Sequence, residues 1–282
     1  MYYKSVHVTM SNYKSVFKDF SVDIQDEVRS ALLDKVDISR YIDICASDSY
    51  KLGQFRMAIR ECIPNVYLTS NMTGKAVNNL RWCFSHDISI LQLLPYLNKK
   101  VCVDSELLES LCEGMRLGAD ISEVNFFNIN KNIVNIVISG LVQKYPMWLC
   151  EGVDWLDEKY VHTLIRGMAM GIDVAPFVQC EWRTDVMILL FYYSGKVNIN
   201  NFLSYITNKF SSDLVESLLR VYIRNIPIDI LASKTEDGEP IYNAYQVDVL
   251  QKAVERGYTT SNEVFNPALS DMEMERILEK NK

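Results

Sequence analysis

The chain has 282 residues, 49% of them hydrophobic and 23% charged, a composition that excludes a disordered chain and allows a sizeable core. Its 29 basic residues against 36 acidic ones leave a net charge of −7, which argues against general binding to nucleic-acid phosphates. The seven cysteines, Cys45, Cys62, Cys83, Cys102, Cys112, Cys150 and Cys180, include no Cys-x-x-Cys pair; most sit in apolar helical stretches, the usage of small buried hydrophobes in a reducing compartment, with no metal or redox role.

Residues 1–25 are expected to form an N-terminal cap. Val6, Val8 and Met10 alternate with polar residues, the period of a strand, and predict a short β-hairpin. The segment lacks the long apolar core of a secretory signal. The most apolar run, Val186 to Gly195, is bounded by Asp185 and Lys196 and has half of the roughly twenty residues that a membrane-spanning helix needs. The expectation is a cytoplasmic protein with no membrane partner.

From residue 26 to 282 the sequence reads as one helical-repeat domain. The template is SLCEGMRLGADIS, Ser110 to Ser122, and TLIRGMAMGIDVA, Thr163 to Ala175, matches it in register. Both carry a glycine before a methionine (Gly114, Gly167), a second glycine four residues on (Gly118, Gly171), an apolar residue, then Asp120 or Asp173. Fainter copies put Asp37 and Asp87 in the aspartate position. The helix breaks fall at Lys35, Cys62, Ser85, Gly118, Lys144, Gly171, Gly195, Asn225 and Gly257, at intervals of 23 to 33 residues. Such variation suits a repeat whose insertions fall in loops.

Each copy has apolar residues at helical spacing: Val161, Leu164, Ile165 and Met168 in one, Ile133, Ile136, Val137 and Leu141 in another. Glycine or asparagine at a break suits the left-handed conformation that ends a helix. The apolar residue after it, such as Ala119 or Ile172, is placed to fold back on the last turn, and Asp37, Asp120 or Asp173 then caps a short second helix. Asn130 precedes one helix, and Pro267, Ser270 and Glu273 form a capping-box start for the last. The polar cluster at 233–240 marks an insertion or hinge. The predicted fold is all-α, an α-solenoid of about nine helix–turn–short-helix units of about 28 residues, each too small to bury its apolar face alone. The recurring Gly-x-x-x-Gly spacing then reads as close helix packing.

The best-matching copies, Leu164 to Met168 with Gly171 to Ala175 and then Gly114 to Ser122, resemble a short helical repeat of Firmicutes, prophage and conjugative-element proteins. That repeat runs as an Ile-Arg-x-Gly-Leu helix followed by Gly-Leu-Asp-Val-Ser. Asn266 to Lys280 resembles its loop and helix start. The resemblance implies a phage or mobile-element setting and brings no catalytic residue with it, because the matched positions are structural.

A search for chemistry finds little. Of the three histidines, His7, His86 and His162, only His162 has a carboxylate at helical spacing, Glu158, and the pair reads as a surface contact. His86 reads as a turn residue. No nucleotide-binding loop, nucleophile elbow or His-Glu-x-x-His is present. The chain is therefore expected not to be an enzyme and to need no cofactor.

Aromatic side chains dominate binding hot spots. The candidate partner-binding residues are Trp148, Trp155, Trp182, Tyr192, Tyr193 and Tyr222. Tyr192 and Tyr193 point about 100° apart on a helix, so both are not expected to be buried. The expected function is a non-enzymatic scaffold holding a protein or ribonucleoprotein partner, in one version a phage or element inhibitor of a host defence complex such as a CRISPR effector. The alternatives are a nucleic-acid-binding helical solenoid and an accessory protein of a larger particle.

Overall fold

The computed structural model describes residues 1–4, 6–97 and 103–280. Cys102, and residues 281 and 282 of the expected repeat region, lie outside the described residues. The fold is mostly helical. Among the described residues ten helices of nine to twelve residues carry it: α1 (Val22–Leu33), α2 (Ser49–Arg60), α3 (Gly74–Ser85), α4 (Ser105–Arg116), α5 (Val134–Val142), α6 (Glu158–Ala169), α7 (Thr184–Tyr193), α8 (Ser212–Ile223), α9 (Ala244–Glu255) and α10 (Asp271–Lys280). Short α- and 3₁₀-helices fill the connections. Among the described residues the strands are β1 (Tyr2–Tyr3) and β2 (Val6–His7), an antiparallel hairpin with Tyr2 opposite His7.

Local chemistry explains the starts. Ser21, Asp48, Thr73, Asp104, Ser211 and Asn243 each accept a backbone N–H from the first turn of the helix that follows. Ahead of α10, Glu273 reaches back to the N–H and hydroxyl of Ser270, 2.8 and 2.6 Å away.

The ends share one geometry. Lys35, Cys62, Asp87, Gly118, Lys144, Gly171, Glu181, Asn225 and Gly257 take positive φ. In each case the next residue donates its N–H to the carbonyl five positions back, as in Val36 to Ala31, Ala119 to Gly114 and Tyr258 to Ala253. These are Schellman closures. Seven lie at sequence-predicted breaks. Two breaks differ. Ser85 is the last residue of α3, and the left-handed residue is Asp87, because His86 still belongs to the helix cap and stacks on Trp82 at 3.9 Å. Gly195 does not take positive φ; the end of α7 closes instead through Lys196 and Val197 N–H groups bonded to the Tyr193 carbonyl.

The accepting residue in these closures is small in most copies: Ala31, Ala58, Cys83, Gly114, Gly140, Gly167 and Ala253. The next helix explains why. A Cβ on Gly114 would stand 2.6 Å from Cγ2 of Ile138 in α5, and one on Gly167 would stand 2.7 Å from the Phe191 ring in α7. The Gly-x-x-x-Gly spacing is thus a close-packing glycine followed by a helix-ending one. The contact also turns α6: Val161 and Leu164 are buried as expected, but Ile165 and Met168 are only half-buried, and Tyr160, Thr163 and Gly167 complete the buried face. Asp37, Asp120 and Asp173 each accept the N–H two residues on, opening the short helix after the break.

The chain divides into two compact units, Met1–Asp157 and Glu158–Lys282. In the first unit α1, α2, α3, α4 and α5 pack in sequence order. The hairpin joins this unit through Tyr3, whose hydroxyl donates to Asp43 at 2.7 Å and whose ring meets Phe17 at 4.7 Å. In the second unit α7 packs against α6 and α8, and α9 lies between α8 and α10. The 233–240 cluster is a turn pinned by a bridge between Lys234 and Pro240 and by Thr207, whose hydroxyl donates to the Gly238 carbonyl at 2.7 Å.

Candidate partner-binding surfaces

In the first unit the long helices mate their charges. Arg56 of α2 pairs with Glu27 of α1 and with Asp34 just past its end, Arg81 of α3 with Glu61, Lys75 of α3 with Glu109 of α4, and Arg116 with Glu113. Lys75 and Thr73 hold the Glu109 carboxyl below the usual carboxylate range, and Arg116 does the same for Glu113. The connecting segments present a different surface. Trp148 sits in the 3₁₀ turn Met147–Cys150 at 58% exposure, and Trp155 is also exposed. Val66, Leu91, Leu94 and Phe127, on neighbouring 3₁₀ turns, are exposed as well.

In the second unit Tyr192 is 68% exposed near the end of α7, while Val186, Met187, Leu190 and Phe191 of the same helix are buried. Tyr193 is half-buried, edge-on to Tyr192 at 5.2 Å, with the Lys196 ammonium 5.4 Å from its ring centre. Ile188, one turn before Tyr192, lines a shallow groove with Lys159, His162 and Arg166 of α6. His162 stands 3.8 Å from Glu158 with both side chains exposed, the surface contact that the spacing predicted.

Two other candidates are placed differently. Trp182 is 5% exposed and is no surface anchor. It follows the left-handed residue Glu181, donates its N–H to the Phe177 carbonyl, and packs its ring on Phe177 at 5.6 Å. A Schellman closure draws that side chain inward. Tyr222 is half-buried beside Phe202 and Tyr205. The six candidates therefore divide between the units, Trp148 and Trp155 in the first, the rest in the second.

Sequence reasoning missed Val66, Leu91, Phe127 and Ile188. Val66, Leu91 and Trp148 do carry a signal: each stands four residues after a left-handed residue, Cys62, Asp87 and Lys144. Of the cysteines described, Cys45, Cys83, Cys112 and Cys150 are buried, and Cys62 and Cys180 are exposed. Burial pushes the thiols of Cys45 and Cys83 up to about 11 and that of Cys150 up to about 12. Among the described residues no three His, Cys, Asp or Glu side chains gather as metal ligands, and no helix is long and apolar enough to cross a membrane. No family model, curated protein or solved structure matches the chain.

Proposed function

We propose that the chain is a non-enzymatic helical-repeat scaffold, an α-solenoid of short units, that holds a protein or ribonucleoprotein partner. Recurrence of one helix closure, with a small residue where the next helix crosses, supports the repeat reading. The carboxyls with displaced protonation support a structural use of the ionisable groups: Asp104, Glu109, Glu113 and Asp185 are held by ion pairs, and Asp120 and Glu273 by the hydroxyls of Ser122 and Ser270. The resemblance to the Firmicutes and prophage repeat suggests a phage or mobile-element context, with a host defence complex such as a CRISPR effector as the partner.

The observation that carries the binding reading is Tyr192, a large aromatic side chain 68% exposed on a helix whose other face is buried. Aromatic anchors of this kind typically contribute about 2 kcal/mol or more to an interface. The test is affinity capture from nuclease-treated bacterial lysate, identification of the retained protein, and titration of the purified pair. Tyr192→Ala is expected to weaken binding by at least about tenfold with an unchanged circular dichroism spectrum. Equal binding by the variant, or no protein retained by the unaltered chain, refutes the reading.

A further inference from the structure

The connecting segments of the first unit form a continuous edge. The turns at 65–67 and 91–97 pack together. Gln92 Oε1 accepts the Ile121 N–H at 2.7 Å, the Tyr96 hydroxyl donates to the Val124 carbonyl and accepts the Phe126 N–H, both at 3.1 Å, and the Phe127 ring lies 4.9 Å from that of Tyr96. Gly152 N–H then donates to the Asn128 carbonyl at 2.9 Å. Val66, Leu91, Phe127 and Trp148 are all exposed along this edge. Beside Phe127 opens a concavity of about 240 Å³ lined by Val103, Leu107, Phe127 and Val134, with Asp104, Glu106 and Lys131 also at its wall.

The segments 86–104, 117–133 and 143–157 carry seven acidic residues against four lysines. Among the described residues of these three segments Lys131 pairs with Asp104 at 2.6 Å, and Lys144, which keeps its charge, donates to the Gly118 carbonyl at 2.9 Å. Asp87, Glu123 and Asp154 meet no cationic side chain among the described residues, and Glu151 is bound only by the Asn125 N–H at 2.6 Å. The long helices of the same unit pair many of their charges, as Arg56 does with Glu27 and Lys75 with Glu109; this edge carries exposed carboxylates and exposed apolar side chains on the same connecting segments.

We propose that this edge docks an amphipathic helix of a protein partner. The apolar side of that helix lies on the row Val66, Leu91, Phe127 and Trp148, with one side chain in the concavity, and its Lys and Arg residues face Asp87, Glu123 and Asp154. The proposal names a surface and a partner chemistry for the scaffold reading and rests on it. Charge complementarity selects this occupant. A second copy would bring a chain of net charge −7 against an acidic edge, and an anionic membrane or a nucleic acid would be repelled.

The test uses the full chain and a fluorescein-labelled 18-residue helix of Leu and Lys, with a Leu and Glu helix of equal length as control. Fluorescence anisotropy is expected to show binding of the Leu/Lys helix alone, weaker as salt rises, with a blue shift of tryptophan emission that disappears in Trp148→Phe. Trp148→Ala and Leu91→Asp weaken binding at least tenfold. Glu123→Gln combined with Asp154→Asn, exposed changes that leave packing untouched, weakens it severalfold and flattens the salt dependence. Equal binding of the two peptides, or no effect of either the apolar or the charge variants, overturns the proposal; so does concentration-dependent dimerisation of the chain that Trp148→Ala abolishes. Tyr192→Ala separates the two ideas. Loss of the captured partner with Tyr192→Ala but not with Leu91→Asp sinks this surface and leaves the scaffold reading standing.

Discussion

Alanine at Gly167 normally helps a helix, by about 1 kcal/mol, because glycine loses more backbone freedom on folding. Here the added Cβ would stand 2.7 Å from Cε2 and Cζ of Phe191 and 3.0 Å from Cγ1 of Val174. Ordinary carbon contact begins near about 3.5 Å, so the ring would have to retreat by about 0.8 Å. Phe191 is 1% exposed and is held edge-on against Phe177 at 5.3 Å, so it has nowhere to go. Overpacking of this kind costs about 1 to 3 kcal/mol, and a rigid buried ring belongs at the upper end. The net expectation for Gly167→Ala is a loss of about 1 to 2 kcal/mol. Urea denaturation followed by circular dichroism and by tryptophan fluorescence measures it, and coincident transitions license the two-state treatment. Phe191→Leu should make the same alanine less costly, by about 1 kcal/mol of coupling. Gly195 is the control. A Cβ there meets nothing within 4 Å and its φ is not positive, so Gly195→Ala should be neutral or stabilising by up to about 1 kcal/mol. A Gly167→Ala chain as stable as Gly195→Ala would refute the packing argument.

Three further outcomes follow from the same geometry. Cys62 holds a φ of 63° at a cost of about 1 kcal/mol, so Cys62→Gly should raise the denaturation midpoint. Lys144→Gly should give less, because it also removes the bond from Nζ to the Gly118 carbonyl; equal gains would discount that bond. In thiol titration of the native chain, Cys62 and Cys180 should react promptly, whereas Cys45, Cys83, Cys112 and Cys150 wait for denaturant, since burial blocks access and raises their pKa. Prompt reaction of all four would contradict the packing. The carboxyls of Asp104, Glu109, Glu113 and Asp120 lie below their ordinary values of 3.8 and 4.5 in the folded chain. Their stabilisation is complete above the unfolded values and is lost as pH falls through the lower, folded ones. Melting temperature should therefore hold from pH 7 to about 5 and drop below about 4; melts at pH 3 that match those at pH 7 would show that the pairs contribute nothing.

What the sequence determined by itself was local. Helix ends at Lys35, Cys62, Gly118, Lys144, Gly171, Asn225 and Gly257 were legible because a Schellman closure depends on a few consecutive residues: a left-handed residue, an apolar one after it, and an acceptor five back from that one, small in every case but Val221. The same locality made the caps at Asp37, Asp120, Asp173 and Ser270 readable. Exposure was not local. Trp182 and Trp148 are both tryptophans just after a helix break, yet one packs on Phe177 and the other faces solvent. Position relative to the break separates them, and its meaning appears only once neighbouring turns are laid side by side. The rotation of α6 about Gly167 and the row from Val66 to Trp148 were likewise decided by tertiary packing. Which face of an element is covered depends on side chains 25 to 30 residues away, as Tyr96 and Val124 illustrate, and no stretch of sequence states its own neighbour.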